Sequence, residues 1–585
     1  TTTGSLIFPA QWQATGFECD KMNQEAVDFH LDHIISEIKN HLANHIGKGF
    51  THVHFDSYEA GMPTWTPKMP EEFMKRRGYD LIPWLAIFAG QKIGSSEDSL
   101  KFRNDFDDTI RDLYRDIYFA TISKKLAEAN LKFLSEPYGG PWRVDEVIPH
   151  VDKVMTEFFT DYGKFAPYQF EITVQAIRKS GKNLIESEAF TGRPPFSRWT
   201  ETPAWLKPIG DEAYCAGSNR FIVHRFVHQP WDDKYRPGAT MGVWGTHFDR
   251  TQTWWEPAKA MVKYWQRCQA LLQWGKIAPS EKNPEIITGD SSLRILHIHR
   301  KLGKTEVFFI ANTTHSSGNA ECIFSVTGMH PELWDPVTGT MRDLPEFEDS
   351  GTAVSVPLRF EDAQSFFIVF RKKSSGKMPG KQVNFTPMND LASIYGPWKV
   401  TFDPEWGGPE EPVVFEKPED WINRPEPGIK YYSGTATYMT EFDLPGNGSI
   451  DKKSDLFIDL GTVRDIAKVK INGRDLGVIW TAPWNVKVPR EILNEKGNIL
   501  EVEITNTWVN RLVGDEQEPP DAEWAPAHYG PETGTYLKEF PDWFVRNLPR
   551  PSKDRYCFTT WNYFRKDSPL ASSGLLGPVT LKIAN

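Results

Sequence analysis

The sequence predicts a multidomain α/β plus all-β protein: a (β/α)8 barrel of the TIM type that lacks its first strands, a small antiparallel β-sandwich, and a second, larger sandwich of jelly-roll kind. Three observations predict it. At 585 residues the chain is about twice what one hydrophobic core holds, roughly 250–300 residues. Between about residues 20 and 275, stretches of helical period alternate with short apolar runs, the mark of βα units. Beyond Gly275 the helical period disappears, and runs of strand length recur between Gly, Asn, Ser and Pro turns. The expected divisions are 1–282 for the partial barrel, 283–372 for the small sandwich, 373–385 for a linker and 386–585 for the jelly roll.

Within the barrel, apolar residues at i, i+3 and i+4 predict helices over 24–42, 70–89, 99–129, 166–180 and 257–274, with Gly78 and Gly181 as stops. Strands are expected over 51–55, 132–135, 153–156, 183–187 and 220–224, with a sixth over 240–244. A closed barrel of this kind needs eight. Two are therefore expected upstream, and the Met-less opening Thr1-Thr2-Thr3-Gly4 agrees with a preceding segment of the same protein as a partner. In the small sandwich, 294–300, 306–311, 320–327 and 364–371 read as strands. The polar run from Lys372 to Lys381, with two Gly and one Pro, reads as a linker. After it, 396–402, 431–442, 456–460, 467–471, 476–479 and 499–505 read as strands of the last unit.

Charge and composition exclude several functions. A net charge of −11 without a Lys/Arg cluster argues against nucleic acid. The five cysteines are scattered with no C-x-x-C pair, which argues against structural zinc or dithiol chemistry. No run of 18 apolar residues exists to span a membrane. The 22 Trp are enough to fill two β-rich cores or to stack on sugar rings. Candidate sugar platforms are Trp142, Trp231, Trp244, Trp254 and Trp255.

In a βα barrel the catalytic groups sit at the C-terminal ends of the strands. Four expected strands finish on acids: Asp56-Ser57-Tyr58-Glu59, Glu136-Pro137-Tyr138-Gly139, Glu157-Phe158-Phe159 and Glu186-Ser187-Glu188. Carboxylates gathered at one mouth are costly unless paired, hydrogen-bonded or bound to metal. Glycoside hydrolysis uses two of them, one protonated to serve the leaving oxygen and one ionised as base or nucleophile. Surplus oxygens suit a hard cation such as Ca²⁺. Later polar groups, namely Asn219, His224, His228 and His247, are expected to contact sugar hydroxyls, with Trp231 as a platform. The His224–His228 spacing falls on a strand or loop, which favours hydrogen bonding over metal binding. A Ser-His-Asp hydrolase is disfavoured, since no G-x-S-x-G elbow occurs.

Taken in order, Gly16 to Lys21, Asp56 to Gly61, Arg76 to Asp80, Glu136 to Gly139, Glu157 to Phe159, Glu188 to Thr191, Asn219 to His224, His228 to Pro230 and Gly245 to Trp255 resemble the glycoside hydrolase family 106 α-L-rhamnosidases. The resemblance runs from residue 3 over essentially the whole chain, which would be a C-terminal portion of such a protein. It implies removal of α-L-rhamnose with inversion at the anomeric carbon and a Ca²⁺ engaging rhamnose hydroxyls. It further implies Glu59 as general acid, Glu157 as general base, Glu188 as a calcium or sugar ligand with Asp56 also at the calcium, and Asp56 and Glu136 beside the sugar. Exchanging Glu157 for Glu136 or Glu188 as base conflicts with nothing in the sequence. The last unit resembles a galactose-binding-like jelly roll through Gly396 to Val400, Tyr431 to Tyr438, Val469 to Gly473 and Leu476 to Trp480. A secreted or periplasmic enzyme is expected. The competing expectations are an inactive carbohydrate-binding or scaffolding protein on a glycosidase-like barrel and a retaining glycosidase of other specificity.

Overall fold

Asn23 opens the first long helix: its side-chain oxygen accepts from the Ala26 N–H at 3.2 Å, and α1 (Gln24–Leu42) then buries Ala26, Val27, Leu31 and Ile35 along one stripe. These and the following contacts come from a computed structural model that describes residues 2–6, 15–193, 197–278, 284–374, 383–446, 454–527 and 530–584. The chain forms two compact units, Thr1–Glu157 with Pro167–Glu188 and Phe158–Ala166 with Ala189–Asn585.

In the first unit α1 leads to β1 (His52–Phe55) and α2 (Met69–Arg77). The helix expected over 70–89 is interrupted. Gly78 takes φ 83°, a left-handed conformation that closes the helix, and a 3-10 segment, Ile82–Ala89, follows. α3 (Ser96–Leu113) starts on a capping box in which Ser95 and Asp98 satisfy each other's backbone N–H groups. It continues through a π-helical turn, Tyr114–Phe119, into α4 (Ala120–Glu128), so the 99–129 periodicity marks one nearly unbroken rod. β2 (Lys132–Ser135) pairs with β1 in parallel, from His52 opposite Lys132 to Phe55 opposite Ser135. β3 (Lys153–Phe159) pairs with β2 in parallel through Leu134–Lys153 and Ser135–Val154. α5 (Phe170–Lys179) and the start of β4 (Glu186–Thr191) complete the unit. β3 and β4 run past their expected ends, which places Glu157, Glu186 and Glu188 inside strands.

The second unit takes up the ends of β3 and β4. It adds α6 (Pro203–Ala216), β5 (Arg220–Val223) and α7 (Lys259–Leu272), and the His224 N–H bonds the Ala189 carbonyl at 2.9 Å where β5 meets β4. α6 was not expected because Pro203, Pro208 and Gly210 hide its period. Pro203 sits in the first turn, where no N–H is needed, and Thr202 caps the Trp205 N–H at 3.2 Å. The sixth strand expected over 240–244 does not form. Its backbone oxygens are drawn to a side chain instead: Arg225 donates to the Gly242 carbonyl at 2.9 Å and the Trp244 carbonyl at 2.5 Å. Five of the six expected parallel strands are therefore present, amounting to part of a barrel sheet.

Further along the second unit, β6 (Ile295–Leu302), β7 (Thr305–Asn312), β8 (Gly318–Phe324), β9 (Met329–Trp334), β10 (Val354–Phe360) and β11 (Ser365–Lys373) form two antiparallel sheets. β6, β7, β11 and β9 are neighbours in that order in one, and β8 and β10 pair in the other. Phe308, Ile310, Phe324, Val356, Phe366 and Ile368 fill the space between them. The expected linker falls largely on residues outside the described ones. The last sandwich has a six-stranded sheet containing β12 (Trp398–Thr401), β13 (Thr435–Phe442), β15 (Ile466–Ile471), β16 (Arg474–Ile479) and β17 (Asn498–Thr505). A four-stranded sheet pairs β14 (Asp455–Asp459) with β18 (Thr580–Ala584). Trp398, Trp421, Trp480 and Trp508 are fully buried here, as is Trp254 of the βα region, so much of the tryptophan surplus is core. No helix among the described residues is long and apolar enough to cross a membrane.

One buried ion pair locks part of the second unit. Lys207 and Asp211 on α6 have side chains with no solvent exposure and meet at 2.8 Å. Lys207 also donates to the Ala363 carbonyl and to Ser365 Oγ of β11, both at 2.7 Å, and Tyr264 of α7 donates to Asp211. Removing one partner strands the other charge in the interior. Lys207→Met is expected to destabilise by about 3–5 kcal/mol, whereas Lys207→Met with Asp211→Leu recovers most of the loss. Urea unfolding of the two variants beside the parent checks this, and equal losses would contradict it.

Candidate active site

All five acids that the sequence singles out for chemistry lie in the first unit, on or just after β1 to β4. Asp56 follows the last residue of β1; its carboxylate accepts the Ser57 N–H at 2.8 Å, and Ser57 Oγ donates to Glu59 at 3.4 Å. Glu136 follows β2 in the same way, with a side chain wholly out of solvent. Its Oε2 accepts from the Tyr138 hydroxyl, which also stands 3.4 Å from Glu157 Oε2 of β3. Its Oε1 has no hydrogen-bond partner and faces His54 Nε2 at 3.4 Å. Glu157 is 8% exposed and Glu188, on β4, half-buried.

Crowding of like charges in low dielectric shows in proton affinity. Burial raises the Glu136 carboxyl well above the ordinary carboxylate range; the charges of Glu188 and Asp56 raise it further, and the Tyr138 hydrogen bond offsets only part. Glu59 keeps an exposed side chain, yet its carboxyl is raised too, first by partial burial, then by Asp56, with Glu188 adding to it. Such a carboxyl retains its proton at a pH where a free one has lost it.

His54, Asp56 and Glu136 each present one ligand atom, and the three atoms lie within 4.8 Å of one another. The buried Oε1 of Glu136, which accepts no hydrogen bond and has the His54 imidazole 3.4 Å away, is the kind of atom that a cation completes. The carboxylate oxygens of Asp56 and Glu136, with Glu188 within hydrogen-bonding reach of Glu136, fit a hard cation such as Ca²⁺; the imidazole nitrogen of His54 does not suit that ion. His54 escaped the sequence reading, although residues two apart on a strand share a face, and that rule joins it to Asp56. Tyr138 escaped it as well, hidden between Glu136 and a glycine. Trp142 packs edge-on against Tyr58 at 5.2 Å and donates to the Pro137 carbonyl at 3.0 Å, supporting this loop from behind.

The remaining expected site residues belong to the second unit. Asn219 is buried at the N-terminal end of β5, its carbonyl accepting from Gln273 at 2.8 Å. His224 is half-buried at the opposite end of that strand, and His228 is exposed. Trp231 is half-buried against the rings of Phe540, Phe544 and Phe558, 5.1 to 5.8 Å away. His247 is buried with its ring 4.0 Å from that of Trp199; burial and the neighbouring Arg225 hold it well below the usual histidine range, and its neutral Nε2 accepts from Arg225 at 3.1 Å.

A buried carboxyl whose folded-state proton affinity is raised contributes its stability below the unfolded value and loses it as pH rises. In chelator-containing buffer, Glu136→Gln is therefore expected to melt above the parent at pH 8, with the gap closing towards pH 4. Melting curves across that range decide it, and a gap independent of pH would remove the electrostatic explanation.

The family model of the α-L-rhamnosidases of glycoside hydrolase family 106 matches residues 1–283 and 280–348 of the chain. A protein of Formosa agariphila named as a candidate β-glucuronidase is 24% identical, over 100% of this chain and 78% of its own length. The structure of a rhamnosidase from Novosphingobium sp. PP1Y superposes with a TM-score of 0.84 at 24% identity, over 99% of this chain. The match covers 66% of that rhamnosidase, so the chain spans just under two thirds of its length.

Proposed function

Since the chain belongs to the α-L-rhamnosidase family of glycoside hydrolases, family 106, we propose that it removes terminal α-L-rhamnose from a glycan or glycoside by a single-displacement, inverting hydrolysis. The observation that carries this reading is the convergence of Asp56, Glu59, Glu136, Glu157 and Glu188 in one unit on parallel strands, with the proton affinity of Glu59 raised by partial burial and then by Asp56 and Glu188.

Glu59, in its protonated form, gives its proton to the glycosidic oxygen as the bond to the anomeric carbon breaks. Glu157, ionised, takes a proton from the water that attacks the opposite face, and the new hydroxyl emerges with inverted configuration. This division asks for a separation of about 6.5–9.5 Å between the two carboxyls, which leaves room for the water. Asp56 and Glu188, with Glu136 beside them, would hold Ca²⁺, which when bound neutralises the crowded carboxylates and ligates sugar hydroxyls. The acid cluster favours rhamnose, whose C6 is a methyl group, over a glucuronide, whose C6 carboxylate would join five others. Glycans carrying rhamnose lie outside the cytoplasm in plant tissue and cell walls, and we place the enzyme in the secreted or periplasmic space.

The acid works while protonated, so activity is lost as pH rises through the raised value of Glu59, and it is lost at low pH as the base Glu157 becomes protonated. On an alkyl α-L-rhamnoside, Glu59→Gln is expected to lower kcat about 10²–10⁴-fold, and less on an aryl rhamnoside with a good leaving group. Glu157→Gln lowers both alike. EDTA reduces turnover and Ca²⁺ restores it. Proton NMR of the first product shows the β anomer, and an aryl β-glucuronide stays intact. Full turnover by either variant would remove that residue's role, and initial release of the α anomer would replace inversion by retention.

A further inference from the structure

Two groups that must cooperate across a gap are carried here by different strands, Glu59 on the loop after β1 and Glu157 within β3. Something has to set the span between them, since a change of about 1 Å in such a site costs on the order of 10²-fold in rate. Tyr138 touches both arms. Its hydroxyl donates to Glu136 and stands 3.4 Å from Glu157 Oε2. Its own N–H bonds the Glu136 carbonyl at 2.9 Å, which folds the chain tightly enough to bring the ring back over the acid it follows. Its carbonyl accepts the Tyr58 N–H at 3.4 Å, and Tyr58 is the residue immediately before Glu59. Next in the chain, Gly139 takes φ 82°, and a Cβ there would come within 3.0 Å of the Tyr58 carbonyl oxygen. The turn over 136–139 is thus docked, backbone to backbone, on the loop that carries Glu59. The ring is 2% exposed, and Tyr168, itself 46% exposed, closes against it edge-on with ring centres 6.3 Å apart.

We propose that Tyr138 is the positioning residue of the hydrolytic site: its backbone holds the Glu59 loop and its phenol stands between Glu136 and Glu157, so that one residue sets the acid-to-base span. The inference rests on the reading of Glu59 as acid and Glu157 as base. A purely structural tyrosine would need a partner for its hydroxyl and nothing more. This one donates its single proton to Glu136 with Glu157 Oε2 of another strand 3.4 Å from the same hydroxyl, while its carbonyl accepts the Tyr58 N–H on the loop after β1.

Tyr138→Phe keeps the ring and its contact with Tyr168 and deletes only the hydroxyl. It is expected to lower kcat about 10- to 10²-fold with KM within about twofold, because orientation of the base matters at the transition state and not in binding. The factor should be the same on aryl and alkyl rhamnosides, since the base, unlike the acid, does not depend on the leaving group. Tyr138→Phe combined with Glu157→Gln should be no slower than Glu157→Gln alone. Full kcat in Tyr138→Phe, a loss confined to KM, or a double variant slowed by the product of the two single effects would overturn the proposal. Gly139→Ala provides a second reading should Tyr138→Phe fold poorly. It leaves the phenol intact and pushes the turn off Tyr58, and it should also lower kcat without moving KM; unchanged kcat there removes the backbone half of the role. A Glu157→Gln enzyme with full turnover brings down the assignment of the base, and Tyr138's role falls with it. A dead Glu157→Gln beside an unimpaired Tyr138→Phe brings down the role of Tyr138 alone.

Discussion

Like charges crowded together repel, the more so where water is excluded, and the first unit gathers five carboxyl groups of which Glu136 and Glu157 are buried. They are carried by four parallel strands and the turns that follow them, Asp56 and Glu59 sharing the loop after β1, so they cannot all move apart without distorting a ladder that the backbone has already filled with hydrogen bonds. The protein answers the repulsion in three ways visible in the structure. Glu59 and Glu136 bind protons more tightly, Tyr138 supplies a hydroxyl between two acids, and Glu136 points an unsatisfied oxygen at the place where Asp56 and His54 also point. A group that holds its proton and an oxygen that lacks a partner are defects in a scaffold and assets in a hydrolytic site.

The elements beneath the acids are built conservatively. α1 and α3 begin on side-chain caps, α2 ends on a left-handed glycine, and the parallel pairing of β1, β2 and β3 is in register from strand to strand. In the second unit, charge is used differently. Lys207 and Asp211 neutralise each other completely inside the protein, and Arg225 spends its donors on backbone carbonyls of 240–244 and on a neutral His247. There the ion pair and most of the guanidinium's donors meet protein partners and fix the path of a loop, although Arg225 Nη1 is left without one. In the acid cluster the polar groups are left partly open.

Much of this was legible along the chain. Helical period found α1 and the α3–α4 rod, and acids following apolar runs found Asp56 and Glu136 immediately after β1 and β2. Elsewhere a local signal was outweighed. α6 was masked because proline and glycine are read as breakers, although a proline in the first turn costs a helix nothing. The run 240–244 reads as a strand by composition, yet the guanidinium of Arg225 outcompetes a neighbouring strand for its carbonyls. Tyr138 and His54 carry no signal of their own, since an isolated tyrosine or histidine is far more often packing than chemistry.

What the sequence determined by itself is the kind of protein: parallel βα units followed by two sandwiches, and acids placed by strand period on one end of the sheet. Those features follow from periodicity and from residue type, which act over a few neighbours and are written in order along the chain. Which acid keeps a proton, which oxygen lacks a partner and which tyrosine stands between two carboxylates were decided only by tertiary structure. Each depends on the distance between groups 19 to 129 residues apart in the chain, and on the loss of water around them, and neither quantity is local.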